Sequence, residues 1–184
     1  MRQLFVISAF LVCVGSAVLT VPGWAGGTER PLVALAMGYG GVGDMSFNDM
    51  QYRGLVGAAK RFDIDVAYQA PAQETEQDIR ANLEALLARK PALLFAAGYQ
   101  NMLVVKEIAA HYPDVQFVVL DNPLRGLKNV SSAIFAQNEG SFAVGYLAAR
   151  VSKTPRVGFI GGVDSPVIKS FLVGYEQGVR HASP

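Results

Sequence analysis

The sequence predicts an α/β protein built on a doubly wound parallel sheet, followed by the start of a second α/β lobe. Two observations predict this class. Apolar runs of strand length alternate with helical patterns from residue 32 onward. Several runs, such as residues 32–37 and 92–97, are apolar throughout. Strands of that kind are typical of a parallel sheet that helices cover on both faces.

Six strands are predicted, each from a short apolar run bounded by polar, glycine or proline residues. They cover residues 32–37, 65–68, 92–97, 116–120, 130–135 and 157–160. The sixth belongs to a single strand–helix unit that follows a long helix. This isolated unit indicates that a second lobe begins in the last part of the chain.

Five helices are predicted from apolar residues at helical spacing and from capping residues. They cover residues 46–61, 75–88, 101–111, 141–152 and 165–184. Ser46 and Asp49 match a capping box at the start of the first helix, and Thr75 with Asp78 begins the second. Pro113 ends the third helix because proline cannot continue it.

Residues 1–25 have the pattern of a secretory signal peptide. Arg2 precedes a long apolar run, and Gly23 and Ala25 supply the small residues that precede a cleavage site. We therefore expect export to the periplasm with cleavage after Ala25. The alternative is a membrane anchor, because the apolar run is about long enough to span a bilayer. Cys13 is the only cysteine, so a cleaved chain has no disulfide and no thiolate metal site.

The charge balance argues against a nucleic-acid partner. Arg2 is the only charged residue of the leader, so 15 of the 16 Lys and Arg residues remain against 15 acidic residues. These basic residues do not form the clusters that track phosphates.

Polar, aromatic and glycine residues follow the predicted strands where each one ends. Ligands of doubly wound sheets bind outside the carboxyl ends of the strands, so these residues are expected at one small-molecule site. The candidates are Ser46, Phe47, Asn48, Gly98, Tyr99 and Asp121. A glycine-rich turn over residues 38–43 precedes the first helix, whose N-terminal N–H groups would face a ligand.

Two of these residues have alternative roles. Phe47 could pack in the core as a staple at the helix start, or its ring could stack on the ring of a ligand. Asp121 could cap the turn before Asn122 and Pro123, or it could accept hydrogen bonds from a ligand.

The candidate site contains binding groups but no recognisable catalytic machinery. Gly38, Gly40 and Gly43 match the glycine pattern of dinucleotide sites. That reading is disfavoured because the predicted helix begins after the glycines and strand two does not end in an acidic residue. No nucleophile–base set or metal-ligand spacing occurs. We expect a binding protein without cofactor or metal, and a nucleotide- or dinucleotide-dependent enzyme is the less favoured alternative.

Three motifs resemble one known family. They are Gly-Asp-Met-Ser-Phe-Asn-Asp at 43–49, Glu-Gly-Ser-Phe at 139–142 and Gly-Phe-Ile-Gly-Gly at 158–162. Together they resemble the basic membrane protein (BMP/PnrA-like) family of substrate-binding proteins of ABC transporters. The resemblance covers residues 31–182.

The resemblance implies a type I periplasmic-binding-protein fold, in which two lobes close on a nucleoside. Residues 30–138 would form the N-terminal ligand-binding lobe and residues 139–184 the incomplete start of the second. Phe47 would stack on the base, Asn48 would hydrogen-bond to it, and Asp121 would accept from base or ribose. The expected partners are a nucleoside-like ligand and an ABC permease, with the protein itself a monomer. A ligand-sensing regulatory module of the same fold is the alternative function.

Two features depart from the family pattern. Gly38 stands where the family commonly has an aspartate, so one carboxylate that would face the ligand is missing. Family members are also nearly twice as long, so the contacts of the second lobe cannot be assigned to residues of this chain.

Overall fold

The computed structural model describes residues 30–183, which contain a five-stranded parallel sheet. The strands are β1 (Leu32–Ala36), β2 (Asp65–Gln69), β3 (Leu93–Ala96), β4 (Gln116–Leu120) and β5 (Val130–Ala133). The helices are α1 (Phe47–Arg61), α2 (Glu76–Leu87), α3 (Gly98–Ile108), α4 (Gln137–Val151) and α5 (Pro166–Ala182). A short 3-10 turn, Ala109–His111, extends α3.

The strand order is β2-β1-β3-β4-β5, and every neighbouring pair is parallel. From β1 the chain steps to one side to form β2 and then crosses back past β1 to form β3. The gap between the carboxyl ends of β1 and β3 is therefore a topological switch point. Crevices that bind ligands occur at such points in open α/β sheets.

Helices cover both faces of the sheet, which confirms the predicted α/β class. On one face α2 and α3 pack over buried strand residues that include Ala34, Leu94 and Phe117. On the other face Leu55 of α1 packs beside Leu35. The central strands β1 and β3 are apolar on both sides because each side contacts a helix layer.

The two last helices, α4 and α5, pack closely against each other through glycines. A Cβ atom added to Gly178 of α5 would lie 2.0 Å from the carbonyl oxygen of Phe142 on α4. A Cβ on Gly145 of α4 would likewise lie 2.0 Å from the carbonyl oxygen of Tyr175. The backbones can approach this closely only because these positions lack side chains.

The sixth predicted strand is wrong. Residues 157–160 have no regular structure, and the Ile160 side chain is 99% exposed. A strand is stabilised by hydrogen bonds to a neighbouring strand, and within residues 30–183 none of the five strands lies beside this segment. The apolar pattern of residues 157–160 does not show whether a neighbouring strand is present, so the prediction failed here.

Several element boundaries also differ from the prediction, among them the starts of α3 and α4 and the end of β5. α3 begins at Gly98 rather than at residue 101, and α4 begins at Gln137 rather than at residue 141. β5 ends at Ala133, two residues earlier than predicted. By contrast, Thr75 caps α2 as predicted, because its hydroxyl oxygen accepts the Asp78 N–H at 3.1 Å.

The predicted signal peptide lies outside the described residues. Across residues 30–183 no helix has the length and apolarity needed to cross a bilayer.

Candidate functional site

A cleft of about 330 Å³ lies at the carboxyl edge of the sheet, beside the switch point between β1 and β3. Its walls come from the turns that follow β1, β2 and β3, and Val163 from the segment before α5 also borders it. In the sheet register Ala36 pairs with Ala96, and Ala96 pairs with Val119. This register brings the carboxyl ends of β1, β3 and β4 to the same edge.

The turn between β1 and α1 depends on left-handed backbone conformations. The φ angles are +93° at Gly40, +60° at Gly41 and +106° at Gly43. Glycine adopts such angles without steric cost, which explains the glycine-rich sequence here. Met45 also has a positive φ, +48°, although it carries a side chain. This residue is held in place by a hydrogen bond, because its N–H donates to the Asp49 carboxylate at 2.9 Å.

The predicted capping box at α1 is wrong, because Asp44 caps the helix instead of Ser46. The Ser46 side chain makes no capping hydrogen bond and is exposed. The Asp44 carboxylate accepts the N–H groups of Ser46, Asn48 and Asp49 at 2.9, 2.8 and 3.1 Å. The N–H donors of Asn48 and then Ser46 are the main cause that lowers the pKa of Asp44 below its ordinary value.

Asp49 has a different role from the one that the capping pattern predicts. Its carboxylate reaches back into the glycine turn and accepts the N–H of Gly43 at 2.7 Å, in addition to that of Met45. The sequence also predicted free N–H groups at this helix start. In the structure five N–H groups of the turn and first helical residues are already occupied by two carboxylates.

Phe47 borders the cleft between two glycines. Cβ atoms added at Gly38 and Gly98 would lie 3.8 and 3.9 Å from the same ring carbon of Phe47, Cε1. The side chain remains 41% exposed, and it is outside the two buried hydrophobic clusters. The position therefore fits a ring that is presented to the cleft better than a staple buried in the core.

Asn48 is buried and mainly serves the turn. Its Oδ1 accepts the Gly38 N–H at 3.0 Å, and its Nδ2 donates to the Tyr39 carbonyl at 3.4 Å. The amide thus ties the end of β1 to the first turn of α1. One N–H of the amide remains for a ligand, since each side-chain amide has two donors.

Asn101, at the start of α3, is a cleft residue that the sequence did not single out. It is 98% buried, and its Nδ2 donates to the carbonyls of Met37 and Ala97 at 3.0 and 2.7 Å. Its Oδ1 is buried without a hydrogen-bond partner in the described part of the chain. A buried acceptor of this kind is costly unless a donor reaches it. The only sequence signal was its position three residues after Gly98.

Glu74 and Gln100 form a polar pair in the wall of the cleft. The Gln100 amide donates to the Glu74 carboxylate at 2.7 Å, and both residues border the cleft. Glu74 lies in the loop after β2, where no apolar pattern distinguishes a site residue from an ordinary surface acid. Glu74 was therefore not predictable as a site residue.

Asp121 follows β4 at the same edge but lies outside this cleft. Its φ is +69°, and its N–H donates to the Ala133 carbonyl at 2.8 Å. Among residues 30–183 its carboxylate accepts no hydrogen bond, so it does not act as the cap of the turn. The side chain is half-buried, and burial raises the pKa of Asp121 above its ordinary value.

The structure thus brings together Phe47, Asn48 and Gly98 of the six predicted site residues. Ser46 and Tyr99 lie on the same edge but do not border the cleft, and Tyr99 is half-buried. Within the described residues no three His, Cys, Asp or Glu side chains are placed to share a metal ion. The arrangement can hold a flat ring against Phe47 and polar groups of a ligand against the amides.

Comparison with known proteins gives a consistent result. Residues 32–184 match the family model described as "ABC transporter substrate-binding protein PnrA-like". The chain is 33% identical over 155 residues to a CD4+ T-cell-stimulating antigen of Listeria monocytogenes, covering 83% of this chain and 43% of that protein. It is also 33% identical over 142 residues to the ABC transporter nucleoside-binding protein BmpA of Lactococcus lactis, covering 76% of this chain and 40% of that protein.

A solved structure shows the same fold. It is an ABC transporter solute-binding protein from Aeropyrum pernix, with a TM-score of 0.72 and 27% identity. The match covers 84% of this chain and 44% of that chain. The chain thus spans less than half the length of each of these three proteins. The family match extends over nearly all of the described residues, and the chain belongs to the PnrA-like (Bmp) family of ABC transporter substrate-binding proteins.

Proposed function

We propose that this chain carries the ligand-binding lobe of an ABC importer's solute-binding protein, and that its ligand is a nucleoside. The observation that carries the proposal is the Phe47 ring, which borders a cleft at the switch point and packs between Gly38 and Gly98. Glycines beside a ring leave room for a flat ligand to approach it. Stacking of aromatic rings favours such a ligand.

Polar groups beside Phe47 complement a base and a sugar. The Asn48 amide has one N–H besides the one that donates to the Tyr39 carbonyl, and it can donate to a base. Asp121, with its free carboxylate, lies along the same edge and can accept from a ligand that extends beyond β3. The name of the Lactococcus lactis relative, a nucleoside-binding protein, supports the same ligand class.

The division into lobes is part of the proposal. Residues 30–138 would form the lobe that contains the cleft, and residues 139–184 would begin a second lobe. Supporting this division, α4 and α5 pack chiefly on each other and not on the sheet. Val163, from the second segment, borders the cleft, as expected where two lobes meet around a ligand.

Export and delivery complete the proposed role. The protein would be exported, cleaved after Ala25, and would pass its ligand to a permease in the membrane without chemical change. Mass spectrometry of the exported protein tests the cleavage, and retention of Met1 would contradict it. Chromatography of a nucleoside incubated with the protein tests the non-catalytic role, and conversion to base and sugar would contradict it.

Ligand screening tests the proposed class directly. Thermal unfolding of the purified chain is measured with nucleosides, free bases and free pentoses at equal concentration. A ligand that binds only the folded state raises the melting temperature by mass action. We expect nucleosides to raise it more than either component alone. A shift produced only by pentoses, or by none of the compounds, would contradict the proposal.

A further inference from the structure

We propose that the amino edge of the sheet is a docking surface for membranes that contain anionic lipids. This edge lies opposite the cleft, where the segments that lead into the five parallel strands meet. It consists of residues 30–32, 60–65, 88–93, 109–116 and 126–130. The proposal goes beyond ligand binding and does not depend on which ligand the cleft holds.

Basic side chains are concentrated at the amino edge, although the chain after the leader is neutral overall. Exposed lysines and arginines outnumber the aspartates there. The cations are Arg30, Lys60, Arg61, Arg89, Lys90 and Lys128, and the aspartates are Asp63, Asp65 and Asp114. The opposite edge carries acidic residues that include Asp44, Asp49 and Glu74. The two ends of the lobe therefore differ in charge, and the amino edge attracts an anionic surface.

Arg89 and Lys90 are available to a partner outside the chain. Within residues 30–183 neither forms an ion pair, whereas the Arg30 Nε lies 2.8 Å from the Asp63 carboxylate. Lys90 has a φ of +54°, in the left-handed region where helix ends favour glycine. Glycine would adopt this turn with less strain, so the backbone does not explain the lysine. An exposed charge that binds a partner does explain it.

A recess of about 850 Å³ opens beside these two cations. Arg30 and His111 also border it, and Asp114 is the single acidic residue among the described residues of its lining. Lysine and arginine bind phosphate oxygens through charge-assisted hydrogen bonds. The recess can therefore receive the phosphate of a lipid headgroup, and the other cations of the edge add attraction to the same surface.

The course of the chain favours a membrane over an acidic protein as the anionic partner. Arg30 lies at the amino edge, and the apolar run of the leader ends at Val21. Residues 22–29 link the two and span at most about 28 Å. Before cleavage, or with the leader kept as an anchor, this edge is thus held near the bilayer, and the link raises its effective concentration at the headgroups. The cleft, at the opposite edge, stays open to solvent.

Sedimentation with lipid vesicles measures docking of the protein purified after export. One set of vesicles contains phosphatidylcholine alone, and in the other about a third of the lipid is phosphatidylglycerol. We expect binding to the anionic vesicles to be at least about tenfold tighter at low ionic strength. High salt should remove this preference, because it screens the charges. Equal binding to both kinds of vesicle would overturn the proposal.

Two double variants locate the docking surface. Arg89→Gln with Lys90→Gln should weaken binding to anionic vesicles at least about tenfold, since each cation near such a surface contributes about fivefold. Arg53→Gln with Lys169→Gln is the matched control, because it removes the same charge from exposed positions on α1 and α5, outside the amino edge. An equal loss in both variants would show that net charge alone sets the affinity, and would overturn the proposed surface.

Lys90→Gly separates docking from folding. Glycine relieves the left-handed strain, so the melting temperature should stay the same or rise while vesicle affinity falls about fivefold. Wild-type affinity in this variant would contradict the proposal. Inorganic phosphate, at an ionic strength matched with chloride, should release no more protein from anionic vesicles than chloride does. Greater release by phosphate would assign the recess to a free anion and would also overturn the proposal.

Discussion

The half-buried carboxylate of Asp121 would be stabilised by a ligand that donates a hydrogen bond to it. Burial raises its pKa, and its oxygens accept no hydrogen bond within residues 30–183. A ligand donor would favour the ionised form and lower that pKa. Nucleoside affinity should therefore fall as the pH drops through the raised pKa, which lies above the ordinary value of about 3.9.

Asp121→Asn should weaken nucleoside binding by about 1–3 kcal/mol, because it replaces one acceptor oxygen by a donor that faces a ligand donor. It should also remove most of the pH dependence of binding. Calorimetry at several pH values measures both effects, and Asp114→Asn is the matched control. Wild-type affinity in Asp121→Asn would show that the Asp121 carboxylate does not bind the ligand.

Asp44 has the opposite pKa shift and thus the opposite consequence. Its pKa is lowered by N–H donors that exist only in the folded turn. It therefore contributes stability above the unfolded-state pKa of about 3.9, and this contribution is lost as the pH falls through the lower folded-state pKa. The melting temperature of the wild type should decrease between about pH 5 and pH 3 more than that of Asp44→Asn. Parallel curves for the two proteins would show that the carboxylate does not stabilise the turn.

At the scale of elements, the glycines of α4 and α5 act differently from those of α1. Gly178→Ala would place a Cβ 2.0 Å from a backbone oxygen, so the two helices must move apart. We expect a destabilisation of about 1–3 kcal/mol. Gly57→Ala in α1 is the control, because a Cβ there meets nothing within 4 Å. It should stabilise the chain by about 0.5–1 kcal/mol through the higher helix propensity of alanine.

Urea unfolding followed by far-ultraviolet circular dichroism compares the two variants. The signs of the two free-energy changes should be opposite. A Gly178→Ala variant as stable as the wild type would contradict the close packing of α4 on α5.

The elements that could be predicted from sequence are those whose signals are local. β4 was predicted with its observed bounds, because residues 117–120 are apolar and polar turns lie on both sides of the segment. The cap of α2 was predicted because Thr75 and Asp78 satisfy each other over three residues. Residues 157–160 have an equally apolar pattern, but a strand also needs a neighbour, and composition does not encode where that neighbour lies.

The site residues that could be predicted from sequence are those that directly follow a strand. Phe47, Asn48 and Gly98 follow strand ends, and parallel topology brings strand ends together. The role of Asp44 was missed, because two carboxylates within six residues can cap the same turn in several ways. Asn101 was missed because only the structure shows that its Nδ2 donates to two buried carbonyls while its Oδ1 has no partner in the described part of the chain.

At the scale of the whole molecule, the fold brings the residues of the cleft together at the carboxyl edge of the sheet. The strand order places the switch point between β1 and β3, and the Phe47 ring lies beside it. Asp44 and Asp49 cap α1 beside this edge, and neither side chain borders the cleft. The fold and the lining of the cleft thus support the proposed ligand class, a nucleoside with a flat ring.

The most direct test of this account is the nucleoside affinity of Phe47→Ala compared with Phe62→Ala. Both changes remove an exposed phenyl ring at an end of α1, but Phe62 lies at the far end of the helix from the cleft. Stacking on a base is worth about 1–3 kcal/mol, so calorimetry should show a loss of roughly tenfold or more for Phe47→Ala and wild-type affinity for Phe62→Ala. Unchanged affinity in Phe47→Ala, with its stability reduced, would contradict the account and return Phe47 to a packing role.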